Sequence, residues 1–260
     1  MKNILTTMAM LILCVNILFA GVKLEFKNYE IDNENESESN IAIFTSDKLR
    51  IEGRNQEGNT VIIYDSNKDK IWILNKSEKQ YTVISKEMLL NMKKQVENMM
   101  DQMKQQFANL PDAQREQIEK MMGAQMGGVS VNYTLSNTKK TEKINNWNTT
   151  KYILKADDEI QSEIWATTYS TLGVDAKDFE VMNKFSAFSS DMLSSMPKIQ
   201  KDPFSAIYDE MKGIPVKTID MSNDSVNELV NVSKYNASDE DFAVPSDYKE
   251  QKLSMPGNNR

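Results

Sequence analysis

Residue types that could carry chemistry are scarce in this chain. It holds no histidine, and its one cysteine is Cys14. Zinc sites built on His or Cys therefore have no ligands, and Ser-His-Asp and Cys-His nucleophile systems have no base. Carboxylates remain. Asp158 and Glu159 are adjacent at a polar joint between strands, where neighbouring side chains point to different sides and are solvated, so they form no acid–base pair. The acidic stretch 32–40, DNENESESN, lacks the spaced ligands and central glycine of a calcium loop and reads as a solvated turn. No Gly-x-Ser-x-Gly elbow occurs. The expectation is a non-enzymatic protein with no cofactor and no metal.

Cys14 lies in a leader. Lys2 supplies a positive start, residues 4–19 an apolar run, and Ala20 a small residue before Gly21. This is the pattern of a signal peptide cleaved near Ala20, and it directs the chain to the periplasm. An uncleaved anchor is disfavoured by a run short for a bilayer and interrupted by Asn16. A lipidated Cys14 is disfavoured by Leu13, where a small residue is expected. Cleavage leaves a domain without thiols, held together by core burial. Net charge is −7 over 260 residues; losing Lys2 leaves 30 basic against 38 acidic groups, or −8. That sign repels phosphate backbones, so nucleic acid is not an expected partner. No transmembrane span is expected after cleavage.

The elements that would position any site follow from periodicity. Residues 60–64, 70–74 and 80–84 are β-branched or aromatic runs separated by short polar joints, which predicts an antiparallel meander. Alternation adds strands at 22–31, 41–45 and 49–53. At Ser85 the period changes to that of a helix. Leu89, Met92, Val96, Met99, Met103, Phe107 and Leu110 draw one stripe, Pro111 breaks it, and a second helix follows over 112–122. This Met-rich hairpin, 85–126, reads either as packing or as an adaptable apolar surface for a partner. Further strands are predicted at 129–136, 141–147, 150–156 and 161–168, then a helix over 175–196. A short helix follows from Asp202, with Pro203 at its first position and Gly213 past its end. Strands at 216–220 and 225–235, a closing segment 239–248 and a disordered tail from 251 complete a single domain over 21–250.

Three pieces occur in a familiar order: "TVIIYDSNKDKIWILNKSEKQYTVI", "MKGIPVKT" and the ending "VSKYNASDEDFAVPSDYKE". In that order they resemble an uncharacterised family of secreted bacterial proteins described as a domain of unknown function. That family looks related to the LolA/LolB-like outer-membrane lipoprotein carriers. The closing Asp239, Phe242, Val244, Pro245 and Tyr248 are its most characteristic part. The resemblance implies an α+β fold: a strongly curved antiparallel sheet, an unclosed half-barrel, with helices on the concave face. In the carriers, the space between sheet and helices accepts acyl chains. The Met-rich hairpin is an addition to that plan, and no lipid-handling residue of the carriers matches position by position.

The expected function is a periplasmic binding or carrier protein for a lipid, acyl chain or other hydrophobic ligand. The alternative is an envelope protein that grips another polypeptide through 85–126. Candidate lining residues, chosen as large apolar side chains on strand and helix faces, are Trp72, Trp165, Phe179, Phe185, Phe188 and Tyr208.

Overall fold

The computed structural model describes residues 20–55, 58–107, 132–194, 211 and 213–252. The expected leader, the second helix expected over 112–122, most of the helix expected from Asp202 and the end of the tail lie outside the described residues.

The first meander runs β1 (Ala20–Glu30), β2 (Asn33–Phe44), β3 (Lys48–Asn55), β4 (Gly58–Asp65), β5 (Lys70–Asn75) and β6 (Gln80–Ser85). Its turns are closed by side chains. Asp65 accepts from the backbone N–H of Asn67 and Lys68, and Asn75 from those of Ser77 and Glu78. Such Asx contacts compete well with ladder bonds and favour a reversal. Asp69 and Lys79 then take left-handed φ of 49° and 52° to rejoin the strands. At Ser85 the hydroxyl accepts from the N–H of Met88 at 3.2 Å, capping α1 (Lys86–Phe107).

The second meander comprises β7 (Tyr133–Ile144), β8 (Trp147–Ala156) and β9 (Glu159–Thr167). A 3-10 turn at Ala176–Phe179, boxed by Asp175 and Asp178, leads into α2 (Glu180–Ser194). Then come β10 (Ile214–Asp220), β11 (Ser225–Asn236) and the short β12 (Lys249–Glu250). Together they form one 12-stranded sheet ordered β12-β6-β5-β4-β3-β2-β1-β11-β10-β9-β8-β7. Every pair is antiparallel except β12 with β6. The ends do not meet, so the sheet is large and unclosed. Its two halves join through β1 and β11, the longest-range pairing in sequence.

Two strand expectations need correction. The acidic stretch 32–40 is not a loop: from Asn33 it is the distal half of β2, paired with β1 through Ser39 opposite Lys27 and Glu38 opposite Asn28. Both faces there are wet, so no alternation marks it, and pairing with a neighbour outweighs weak strand propensity. The strands expected at 129–136 and 141–147 are instead one, β7, with a register shift between Asn137 and Thr141. Thr138 caps that irregularity by donating to the Lys151 carbonyl at 2.8 Å, and the turn falls at Asn145-Asn146 rather than Asn148-Thr149.

The main core lies on the face that α2 covers. Val22, Leu24, Ala42, Phe44, Leu49, Tyr64, Ile71, Val216 and Leu229 meet Phe179, Val181, Met182 and Phe188 there. On the opposite face Val61, Ile63 and Leu74 are sealed by Phe242, Val244 and Tyr248 of the closing segment.

Candidate functional site

Register across the first three strands sets one wall of an apolar cavity of about 310 Å³. Leu24 stands opposite Ala42, which stands opposite Ile51, with Phe26 beside Asn40. The other wall is the entry to α2, Phe179 and Met182, together with Met211 and Ile214 at the start of β10. The volume is at the lower end of ligand pockets, about 300–1,000 Å³. A larger hollow, about 780 Å³, opens by the 3-10 turns at Thr168–Asp178, but it is broad and carries Asp175, Lys177, Asp178 and Lys234 on its walls. The smaller one is enclosed by core side chains and is the better site for a greasy ligand.

Two glycines shape the mouth. A Cβ on Gly213 would lie 2.3 Å from the Thr167 carbonyl oxygen, so β10 approaches β9 as closely as it does only because Gly213 has no side chain. At Gly53 a Cβ would meet the Asn40 carboxamide at 3.8 Å, an ordinary contact, so a β-carbon is accommodated there.

Polar groups gather at one end. Asn28 of β1, Asn227 of β11 and Thr218 of β10 form one cross-strand row, next to the row of Phe26, Asn40 and Leu229. Asn227 lines the cavity, and its Oδ1 is buried without a hydrogen-bond partner. Among the described residues the one ionisable group on the wall is Glu52. Burial opposes its ionisation, but hydrogen bonds from Lys76 and Arg50, at 3.0 and 2.7 Å, outweigh that and hold its carboxyl below the usual range. Deeper under α2, burial pushes the Tyr64 hydroxyl up to about 12.

The structure does not gather the five described aromatic candidates in one place. Phe179 lines the cavity, 1% exposed, with its ring 4.9 Å from Phe44. Phe185 and Phe188 lie further along α2, with ring centroids 5.3 and 5.6 Å from Tyr64. Trp72 is on the opposite face, packed with the core that the closing segment covers and with Lys68 over its ring at 5.6 Å. Trp165 also points away from the cavity, because its neighbours Ile164 and Ala166 face the smaller core with Leu135, Leu154 and Met211. Its ring lies under Lys151, which is tied to Glu163 at 2.6 Å. Tyr208 lies outside the described residues. Size alone drew attention to the tryptophans; strand parity would have excluded both. Nothing in the sequence pointed to Asn227.

An unclosed, mainly antiparallel sheet with a helix over an apolar hollow defines the class of the molecule. The chain belongs to the family described as "Domain of unknown function (DUF4412)", whose model matches residues 116–248. The sequence resemblance to an uncharacterised domain family thus holds. No curated protein matches it. Solved structures that are distantly similar include the following three. One is an uncharacterized conserved protein from Thermus thermophilus, at 7% identity and TM-score 0.41, over 95% of this chain and 99% of that one. PNGF-II is similar at 14% identity and TM-score 0.39, over 90% of this chain but 31% of that one. A LolA superfamily protein from Nitrosomonas europaea follows at 9% identity and TM-score 0.24, over 86% and 89% of the two chains. At such TM-scores no property of those proteins is transferred to this one.

Proposed function

We propose that this protein is an exported, non-enzymatic binding or carrier protein, working in the periplasm on a hydrophobic ligand such as a lipid or acyl chain. The observation that carries this reading is the hollow under α2, apolar along its length and walled by β1–β3, Phe179 and Met182. Apolar walls with a few polar groups at one end are the usual construction of a small-molecule site. The leader of residues 1–20 supports export, and the lack of imidazole supports binding over catalysis. In this reading the sheet bends around α2, with the helix on its concave side. None of the helices among the described residues is long and apolar enough to cross a membrane.

Gly53→Leu tests the reading, because a β-carbon is accommodated at Gly53 and the rest of the side chain would take up space in the hollow. The mature protein should bind a fluorescent C12 acyl probe, and the variant should bind it at least about tenfold more weakly with an unchanged thermal midpoint. No binding by the native protein, or equal binding by both, sinks the proposal. The alternative, an envelope partner held by 85–126, has one observation in its favour. On α1, Leu90 is a large apolar side chain left exposed to solvent. Deleting 88–126 should leave probe binding intact if the hollow is the site.

A further inference from the structure

We propose that the hollow selects a neutral amphiphile whose head group donates a hydrogen bond to Asn227 Oδ1, such as a long-chain alcohol, monoacylglycerol or N-acyl amide, rather than a free fatty acid anion or a simple hydrocarbon. This rests on the carrier reading above and adds the chemistry of the head group.

Among the described residues, Asn227 Oδ1 is the buried side-chain oxygen or nitrogen that lacks a partner. Buried carbonyl oxygens are nearly always satisfied, by protein or by ordered water, and an exception in a cavity wall is a place where a ligand donor can bind. The pairing that fixes it is long-range. Asn227 sits between Asn28 of β1 and Thr218 of β10, so its backbone is held from both sides by paired strands. An acceptor at that point calls for a donor on the ligand.

Charge narrows the choice. Among the described residues no lysine or arginine is on the wall, and Glu52 is already engaged by Arg50 and Lys76. A carboxylate entering the hollow would lose its hydration with no cation to replace it. A hydrocarbon would leave Oδ1 unsatisfied. An alcohol or amide N–H meets both conditions, and its chain would run past Leu24, Ala42 and Ile51 toward Phe179 and Met182.

Competition against the bound C12 probe tests this with three ligands of matched length: dodecan-1-ol, its methyl ether and dodecanoate. The native protein should prefer the alcohol to the ether by about tenfold, the usual worth of one hydrogen bond in a dry site, and dodecanoate should be the weakest. Asn227→Leu should bind alcohol and ether alike, with ether affinity at least that of the native protein. Equal affinity for alcohol and ether in the native protein, or dodecanoate strongest, overturns the head-group proposal while leaving the carrier reading standing. Absence of competition by all three, with no probe bound, overturns both. The comparison among ligands needs only the native chain, so it decides the matter even if Asn227→Leu folds poorly.

Discussion

On one face of β3–β5, Leu49, Tyr64 and Ile71 meet Phe179 and Phe188 from the α2 region; on the other, Ile63, Leu74 and Trp72 meet Phe242, Val244 and Tyr248. The second cover is a short strap with a single 3-10 turn at Asp239–Phe242, and it is pinned by polar bonds. Lys48 reaches Asp239 at 2.6 Å, Arg50 donates to the Asp241 carbonyl at 2.7 Å, the Tyr235 hydroxyl donates to the Asp241 carboxylate at 2.8 Å, and Lys79 pairs with Asp247 at 2.8 Å. The first cover relies on ring packing and leaves a hollow at its edge. A strap pinned at many points can be short and close-fitting. A helix held by apolar contacts stands off the sheet, and the gap it leaves is where a ligand can go.

The largest expected effect separates the two covers energetically. Phe179→Ala removes a ring that is 1% exposed and touches Phe44 and Tyr169. It should cost about 3–5 kcal/mol, read from the denaturant midpoint at constant m. Phe242→Ala removes a half-buried ring on the strap and should cost roughly half as much, with probe binding unchanged. If the two costs prove equal, the strap is part of the main core and the contrast fails.

A smaller effect sharpens the comparison at the mouth of the hollow. Gly213→Ala forces a Cβ onto the Thr167 carbonyl and should cost about 1–3 kcal/mol, lowering the thermal midpoint by about 3–10 °C. Gly53→Ala makes only an ordinary contact with Asn40 and should leave the midpoint within about 2 °C of the native value. A neutral Gly213→Ala would mean that β10 can back away from β9, and that the cavity wall is softer than described.

Much of this fold was legible because its strands alternate and its turns carry Asx chemistry. The expectations at 60–64, 70–74 and 80–84 fall within β4, β5 and β6, and Ser85 caps the helix that follows. The polar half of β2 was not legible, since a strand wet on both faces has no period to read. The site was legible only in part. Phe179, Phe185 and Phe188 share a spacing that places them toward the sheet, but Trp72 lies between Ile71 and Ile73 and therefore faces the other way. Asn227 could not be found locally. Its oxygen is unsatisfied because of what β1 and β10 place around it, a fact about residues some 200 positions apart in the case of Asn28.

The smallest effect tests whether charge really distinguishes the strap. Burial works against ionisation at Asp241, but hydrogen bonds from Ser238 and Tyr235 and the charge of Arg50 outweigh it, so its carboxyl sits below its ordinary 3.8. The Lys48 hydrogen bond lowers Asp239, and the Lys79 bond lowers Asp247. A depressed folded value means stability that is complete above the unfolded pKa and lost as pH falls through the folded one. The strap should therefore loosen below about pH 4, ahead of the rest of the sheet, with a drop in midpoint of only about 1–3 °C because these groups are largely solvated. Lys48 and Lys79 are raised by the same partners, so their share is present below 10.5 and lost only as pH rises through their folded values. Hydrogen exchange can locate the loosening. The N–H groups of Lys249 and Gln251 bond to the carbonyls of Lys79 and Tyr81 at 2.9 and 2.7 Å. Corrected for intrinsic rate, their protection should fall between about pH 6 and about pH 3, and Asp241→Asn should flatten that fall. Equal loss of protection along β1 and β11 over the same range would show that acid opens the whole sheet at once, and that the strap is no separate element.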